Sequence, residues 1–118
     1  MASRSAETTN EADDAITHGT GNVFADLGYA DAEERQTKLR LARAINGVIA
    51  RQRLNQAAAA DKLGVNQPKI SALANYKLDG FSVERLMTFL TALDQDVEIV
   101  IRKKPRSRHA ARISVIAA

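Results

Sequence analysis

Gln56, Gln67, Lys69, Ser71, Asn75 and Lys77 carry amide, hydroxyl and ammonium groups within a short alanine-rich region, NQAAAADKLGVNQPKISALANYK. The chemistry such groups offer is hydrogen bonding: an amide donates and accepts side by side, a hydroxyl does either, and an ammonium only donates. Nothing near them suggests bond breaking. The chain has no cysteine, its two histidines lie far apart in polar sequence, no glycine-rich loop is present to cradle a phosphate, and the carboxylates are scattered. Paired acids, a nucleophile beside a base and metal-ligand spacing are therefore all missing from the sequence. The residues point to recognition, with no enzyme activity, no cofactor and no metal expected.

These groups need helices to hold them. Asn55 is placed to cap a helix running from Gln56 to Leu63, which Gly64 ends by taking the left-handed conformation that closes helices. Asn66 caps the next helix, and Pro68 falls in its first turn, where a missing amide hydrogen costs nothing. Only Gly64 and Val65 separate Leu63 from that second cap, so the two helices must cross steeply. Before them, Leu41, Ala42, Ile45, Val48 and Ile49 mark one face of a helix expected from about Ala32, capped by Asp31, to Arg53. After them, Ser82 caps a helix from Val83 to about Leu93, with Leu86, Phe89, Leu90 and Leu93 on one side. Beyond Asp94 the period changes to two: Val97, Ile99 and Ile101 alternate with Asp96, Glu98, Val100 and Arg102, the pattern of a strand. A lone strand leaves its backbone unpaired, so a partner is required, either a second copy of the chain or another protein, and the expectation is a homodimer joined through Val97, Ile99 and Ile101.

At 118 residues there is room for one small core plus flexible ends. With three phenylalanines, two tyrosines and no tryptophan, that core rests on Leu, Ile, Val and Ala, which suits packed helices. The net charge of +3 hides an asymmetry, because residues 1–32 hold one base against six acids, or −5, and the remainder is therefore +8. A basic body with an acidic arm fits a polyanion partner for the first and a different surface for the second. Residues 1–20 have almost no large apolar side chain and read as a disordered acidic arm. Residues 21–32 form an apolar and acidic segment for packing or partner binding, residues 33–103 the helical domain with its strand, and residues 104–118 a flexible basic tail. No secretory signal and no apolar run long enough to span a bilayer is seen, so no membrane association and a cytoplasmic location are expected.

The segment Asn55 to Leu73 resembles the helix-turn-helix of the lambda-repressor-like (XRE) family of DNA-binding proteins. The resemblance rests on Gln56, Ala60, Gly64, Val65 and Gln67, followed by Ile70, Ser71 and Leu73. It implies a mostly α fold, a bundle of about four to five helices, here with a C-terminal β-strand. With Gln67 at zero on a helical wheel, Pro68, Ser71, Ala72 and Asn75 fall within about 140 degrees, with Ile70 and Leu73 opposite. That outward face is small and polar enough to enter a major groove. Gln67 suits adenine, Ser71 several base edges, and Pro68 or Ala72 a thymine methyl, while Lys69 on the flank suits a guanine or a phosphate. The resemblance further implies that Gln56 braces Gln67 and contacts the DNA backbone. Asn75 and Lys77 would hold phosphates and so fix register.

The flanks, GNVFADLG, the basic helix and GFSVERLMTFLTALDQDVEIVIR, look similar to the HigA-like antitoxins encoded beside RelE-type toxins. This second resemblance implies a repressor that binds its own operator and neutralises a RelE/HigB-like ribonuclease toxin, with Phe24, Leu27 and Tyr29 as anchors. The alternatives are that the island around Phe24 packs on the chain's own helices, and that the protein is an XRE-type regulator of phage or metabolic genes with no toxin.

Overall fold

The structure, a computed structural model, describes residues 20–117, and for residues 20–30 the helical backbone alone. The arm expected over residues 1–19 lies outside the described residues, as do the side chains of Phe24, Leu27 and Tyr29. Four helices are present among the described residues: α1 (Thr20–Arg51), α2 (Gln56–Leu63), α3 (Gln67–Ala74) and α4 (Val83–Ala92). The chain divides into two units between residues 33 and 34, and the second holds the helical core.

α1 corrects the expected boundary. It begins at Thr20, well before Ala32, so Asp31 lies inside the helix and does not cap it. Alanines and acids around Asp31 favour helix, and Gly28 before it costs only about 1 kcal/mol against alanine, too little to stop the helix there. From Glu34 on, α1 meets its expectation: Leu41, Ala42, Ile45 and Val48 are buried and Ile49 partly so. They pack with Ala59, Ala60 and Leu63 of α2, Ile70 and Leu73 of α3, Leu78 and Phe81 of the following loop, and Leu86, Phe89 and Leu90 of α4, with Leu93 just beyond it. Ala60 is 5% exposed, the small residue that lets helices approach at their crossing.

Every helix start anticipated from α2 onward has the expected cap. The Asn55 side chain accepts from the Ala58 amide at 2.8 Å and that of Asn66 from the Lys69 amide at 3.0 Å. Ser82 Oγ likewise accepts from the Arg85 amide at 3.0 Å. Helix ends are more uniform than the sequence suggests. At Gly64 (φ 70°) the Val65 amide donates to Ala60 and the Gly64 amide to Asp61, the paired bonds of a Schellman motif. The same pair closes α1 at Arg53, α3 at Tyr76 and α4 at Asp94, all at positive φ without being glycine.

A Cβ at Gly64 would meet nothing within 4 Å, so the residue is needed for its backbone and not for space. Gly64→Ala should therefore cost about 1–2 kcal/mol, the left-handed penalty of an L-residue. Arg53→Gly should shift stability the opposite way. Urea unfolding of both variants measures the two signs, and a neutral Gly64→Ala would contradict the account of the turn.

The expected C-terminal strand is not formed among the described residues. Residues 95–104 have no regular secondary structure, and no backbone amide or carbonyl of residues 96–104 bonds another backbone group among the described residues. The alternation of side chains was real, but a strand exists only when a second one accepts and donates along it, and no described segment of this chain does so. The tail beyond Pro105 runs without regular structure. Its Val115 packs against the core, and Arg40 donates to the Ile113 carbonyl at 3.2 Å.

Candidate nucleic-acid interface

α3 is positioned from both ends. At its start the Asn66 cap fixes the first turn, with the Ile70 amide reaching the Asn66 carbonyl at 3.2 Å, and Pro68 sits where no helical donor is lost. At its end the Asn46 amide of α1 donates to the Leu73 carbonyl at 3.1 Å. That bond matters because the last carbonyls of a helix have no partner within it. Asn46, a polar residue beside Ile45 on the apolar face of α1, is a positioning residue that the sequence reading missed. Its signal was there: an amide bordering a core stripe needs a buried acceptor.

Below the polar surface, Ile70 and Leu73 are 3% and 1% exposed and lock α3 to the core. Above it, Gln67, Pro68 and Lys69 are exposed, while Ser71 and Ala72 are half-buried. Ala72 also packs against the core, so only part of its methyl is offered outward. Gln56 and Gln67 open α2 and α3, both exposed. Neither side chain has a hydrogen bond among the described residues, and none joins the two, so both amides keep their full donor and acceptor capacity.

Lys69 is held more tightly than its sequence position suggested. Its ammonium donates to the Gly80 carbonyl at 3.2 Å and stands 4.8 Å from the centroid of the Phe81 ring. These contacts tie α3 to the loop before α4, and they engage one of the three ammonium donors. With Val65, Gly80, Phe81, Ser82 and Arg85, Lys69 lines a shallow cleft there. Asn75 closes α3, its amide donating to the Ser71 carbonyl at 2.9 Å. Lys77 is exposed, with no hydrogen bond or ion pair among the described residues. Between Asn75 and Lys77, Tyr76 is held at φ 59° and 44% exposed.

The frame around this surface is braced by a second amide. Gln52, at the end of α1, donates to the Leu93 carbonyl at 2.9 Å and accepts from Lys62 at 3.4 Å, and Lys62 in turn approaches Asp94 at 3.9 Å. Of the bracing residues, Asn46 lies in α1 and Gln52 just past its end, while the surface belongs to α3 and its flanking turns. Of the residues expected to pair two copies, Val97 leans on the core while Ile99 and Ile101 are 75% and 92% exposed. Among the described residues no cluster of acids and histidines could hold a metal ion, and no helix is long and apolar enough to cross a membrane.

The arrangement is a short helix with an exposed, mostly uncharged polar face, presented by a fixed turn and backed by a core. A family model described as a helix-turn-helix domain matches residues 23–102. A solved structure described as an XRE family transcriptional regulator is similar to this chain at 82% sequence identity and a TM-score of 0.73, over 75% of this chain and 99% of that one. No curated protein matches.

Proposed function

Because the chain belongs to the helix-turn-helix domain family, of the XRE type, we propose that it is a sequence-specific transcriptional repressor that binds its own operator. In this reading it is also the antitoxin of a RelE/HigB-like ribonuclease toxin. The observation that carries the DNA-binding part is the outward face of α3. Gln67 is exposed with both halves of its amide uncommitted, one turn from Ser71, on a helix whose opposite side is fixed by Ile70 and Leu73. That is what a major groove requires: a donor and acceptor aimed at base edges from a rigid support. Gln56, Asn75 and Lys77 serve the phosphates on either side, and Pro68, Lys69 and Ala72 border the bases. The +8 balance of residues 33–118 supplies the sequence-independent attraction. A homodimer would set two α3 helices about 34 Å apart on a palindromic operator.

The antitoxin part rests on the arm. Residues 1–32 carry −5 with Phe24, Leu27 and Tyr29 among them, a composition suited to covering a basic RNA-cleaving surface. A chain lacking residues 1–30 should keep operator affinity while losing protection of cells that express the toxin encoded beside it. Full protection by the shortened chain would remove the antitoxin reading and leave the plain regulator.

A further inference from the structure

The positive charge of this chain is not spread over the region that carries α3. Residues 33–101 hold ten bases against eight acids, a balance of +2, whereas residues 102–112, RKKPRSRHAAR, hold six bases and no acid, a balance of +6. The six are Arg102, Lys103, Lys104, Arg106, Arg108 and Arg112. All but the half-buried Arg108 are exposed, and none forms an ion pair among the described residues. The outward face of α3 is by contrast nearly uncharged, its Lys69 being engaged by Gly80 and Phe81.

The basic segment is held at both ends. Val97 packs against the core before it and Val115 after it, and the Arg40 side chain of α1 donates to the Ile113 carbonyl at 3.2 Å. Between these anchors the Arg108 amide donates to the Pro105 carbonyl at 3.2 Å and closes a turn, and the Lys104 ammonium donates to the Arg108 carbonyl at 2.9 Å. A loop tethered in this way has less freedom to lose on binding than a free tail. Its anchor also shares a support with α3. Arg40 precedes Asn46 by six residues, about 9 Å along α1, and Asn46 is the side chain that holds the end of α3.

We infer that residues 102–112 are a second DNA-binding element, which grips the phosphates beside the bases that α3 reads and supplies most of the salt-dependent part of the affinity. The chemistry fits phosphate and not bases. Guanidinium forks meet phosphate oxygens two at a time, ammonium groups meet them as point charges, and neither contact carries sequence information. Each phosphate neutralised contributes about 0.9 to the slope of log affinity against log salt, so full engagement of the six cations carries a slope of about 5. The labour is thereby divided: α3 decides which duplex is preferred, and the loop decides how tightly any duplex is held.

This rests on the DNA-binding reading, and the test separates the two. The full chain, and a variant with all six bases replaced by glutamine, are titrated across a range of salt against the duplex from upstream of the gene and a shuffled duplex. At physiological salt the sixfold variant should bind both at least about a hundredfold more weakly, with a slope lower by about 3–5 units and an unchanged ratio between the two duplexes. To separate the place of the charge from its amount, the pair Arg106→Gln and Arg112→Gln is compared with the pair Arg43→Gln and Arg51→Gln on α1, four exposed positions. The loop pair should lower the slope by about 1–2 units and the α1 pair by less than about half a unit. An unsubstituted chain that binds neither duplex removes the DNA-binding reading itself. If that chain binds while the sixfold variant keeps its slope, or if the two pairs act alike, the loop inference alone fails. A loss confined to the upstream duplex overturns it too, by showing that the loop reads bases. So does retention by phosphatidylglycerol vesicles that the sixfold variant loses while DNA binding is kept, which assigns the loop to an anionic membrane surface.

Discussion

Replacing Phe89 with alanine is expected to destabilise the helical domain by about 3–5 kcal/mol, the range for emptying a fully packed aromatic site. Phe89 is 2% exposed, its ring meets the edge of Phe81 with centroids 5.8 Å apart at 78°, and the Arg85 guanidinium lies 5.2 Å from its centroid. The alanine variant loses the transfer energy of the ring, the edge-on aromatic contact and the close packing of Leu86 and Leu90 beside it. In a domain whose whole stability is of the order of 5–15 kcal/mol, that loss removes a large fraction. Phe81 also supports the Lys69 ammonium, so the damage should reach the loop after α3 as well as α4. Urea unfolding measures it. A loss below about 1 kcal/mol would mean that the core is not centred where Phe89 sits, and Phe89→Leu, which keeps most of the volume, should cost clearly less.

The second large effect concerns recognition. Gln67→Ala is expected to weaken operator binding by about 1–3 kcal/mol, concentrated at a single base step, while leaving binding to random duplex unchanged. The reason is geometric. Gln67 is exposed at the first turn of α3, its amide engages no neighbour, and the helix beneath it is fixed by Asn66 at one end and by Asn46 at the other. Lys77→Ala should behave differently, weakening specific and random DNA alike and lowering the salt slope by about one unit, because a phosphate contact positions without reading sequence. Equal losses on operator and random duplex for Gln67→Ala would show that it holds the backbone and does not read a base.

How far the sequence discloses these features depends on the distance over which each is determined. Asn55, Asn66 and Ser82 could be recognised as caps because a cap bonds three residues ahead, and Gly64 as a helix end because only glycine takes φ 70° freely. The buried faces of α1 and α4 followed from periodicity. The ends at Arg53, Tyr76 and Asp94 did not, since none is a residue that favours positive φ as glycine does, and each is held there by the same pair of backbone bonds. The start of α1 was hidden by Asp31, a good capping residue that here lies in mid-helix. Longer-range features were hidden more deeply. The attachment of Lys69 to Gly80 and Phe81 spans a loop that no local pattern describes. The alternation in residues 96–102 has the period of a strand, but a pairing partner is a property of two segments and could not be read from one.

The central claim is that the exposed face of α3 reads DNA sequence. It is tested most directly by titrating the full chain against a duplex taken from upstream of its own gene and against a shuffled duplex of equal length and composition, at two salt concentrations. The expected result is binding to the upstream duplex at least about a thousandfold tighter at physiological salt, with steep salt dependence on both. Equal affinity for the two duplexes would contradict it.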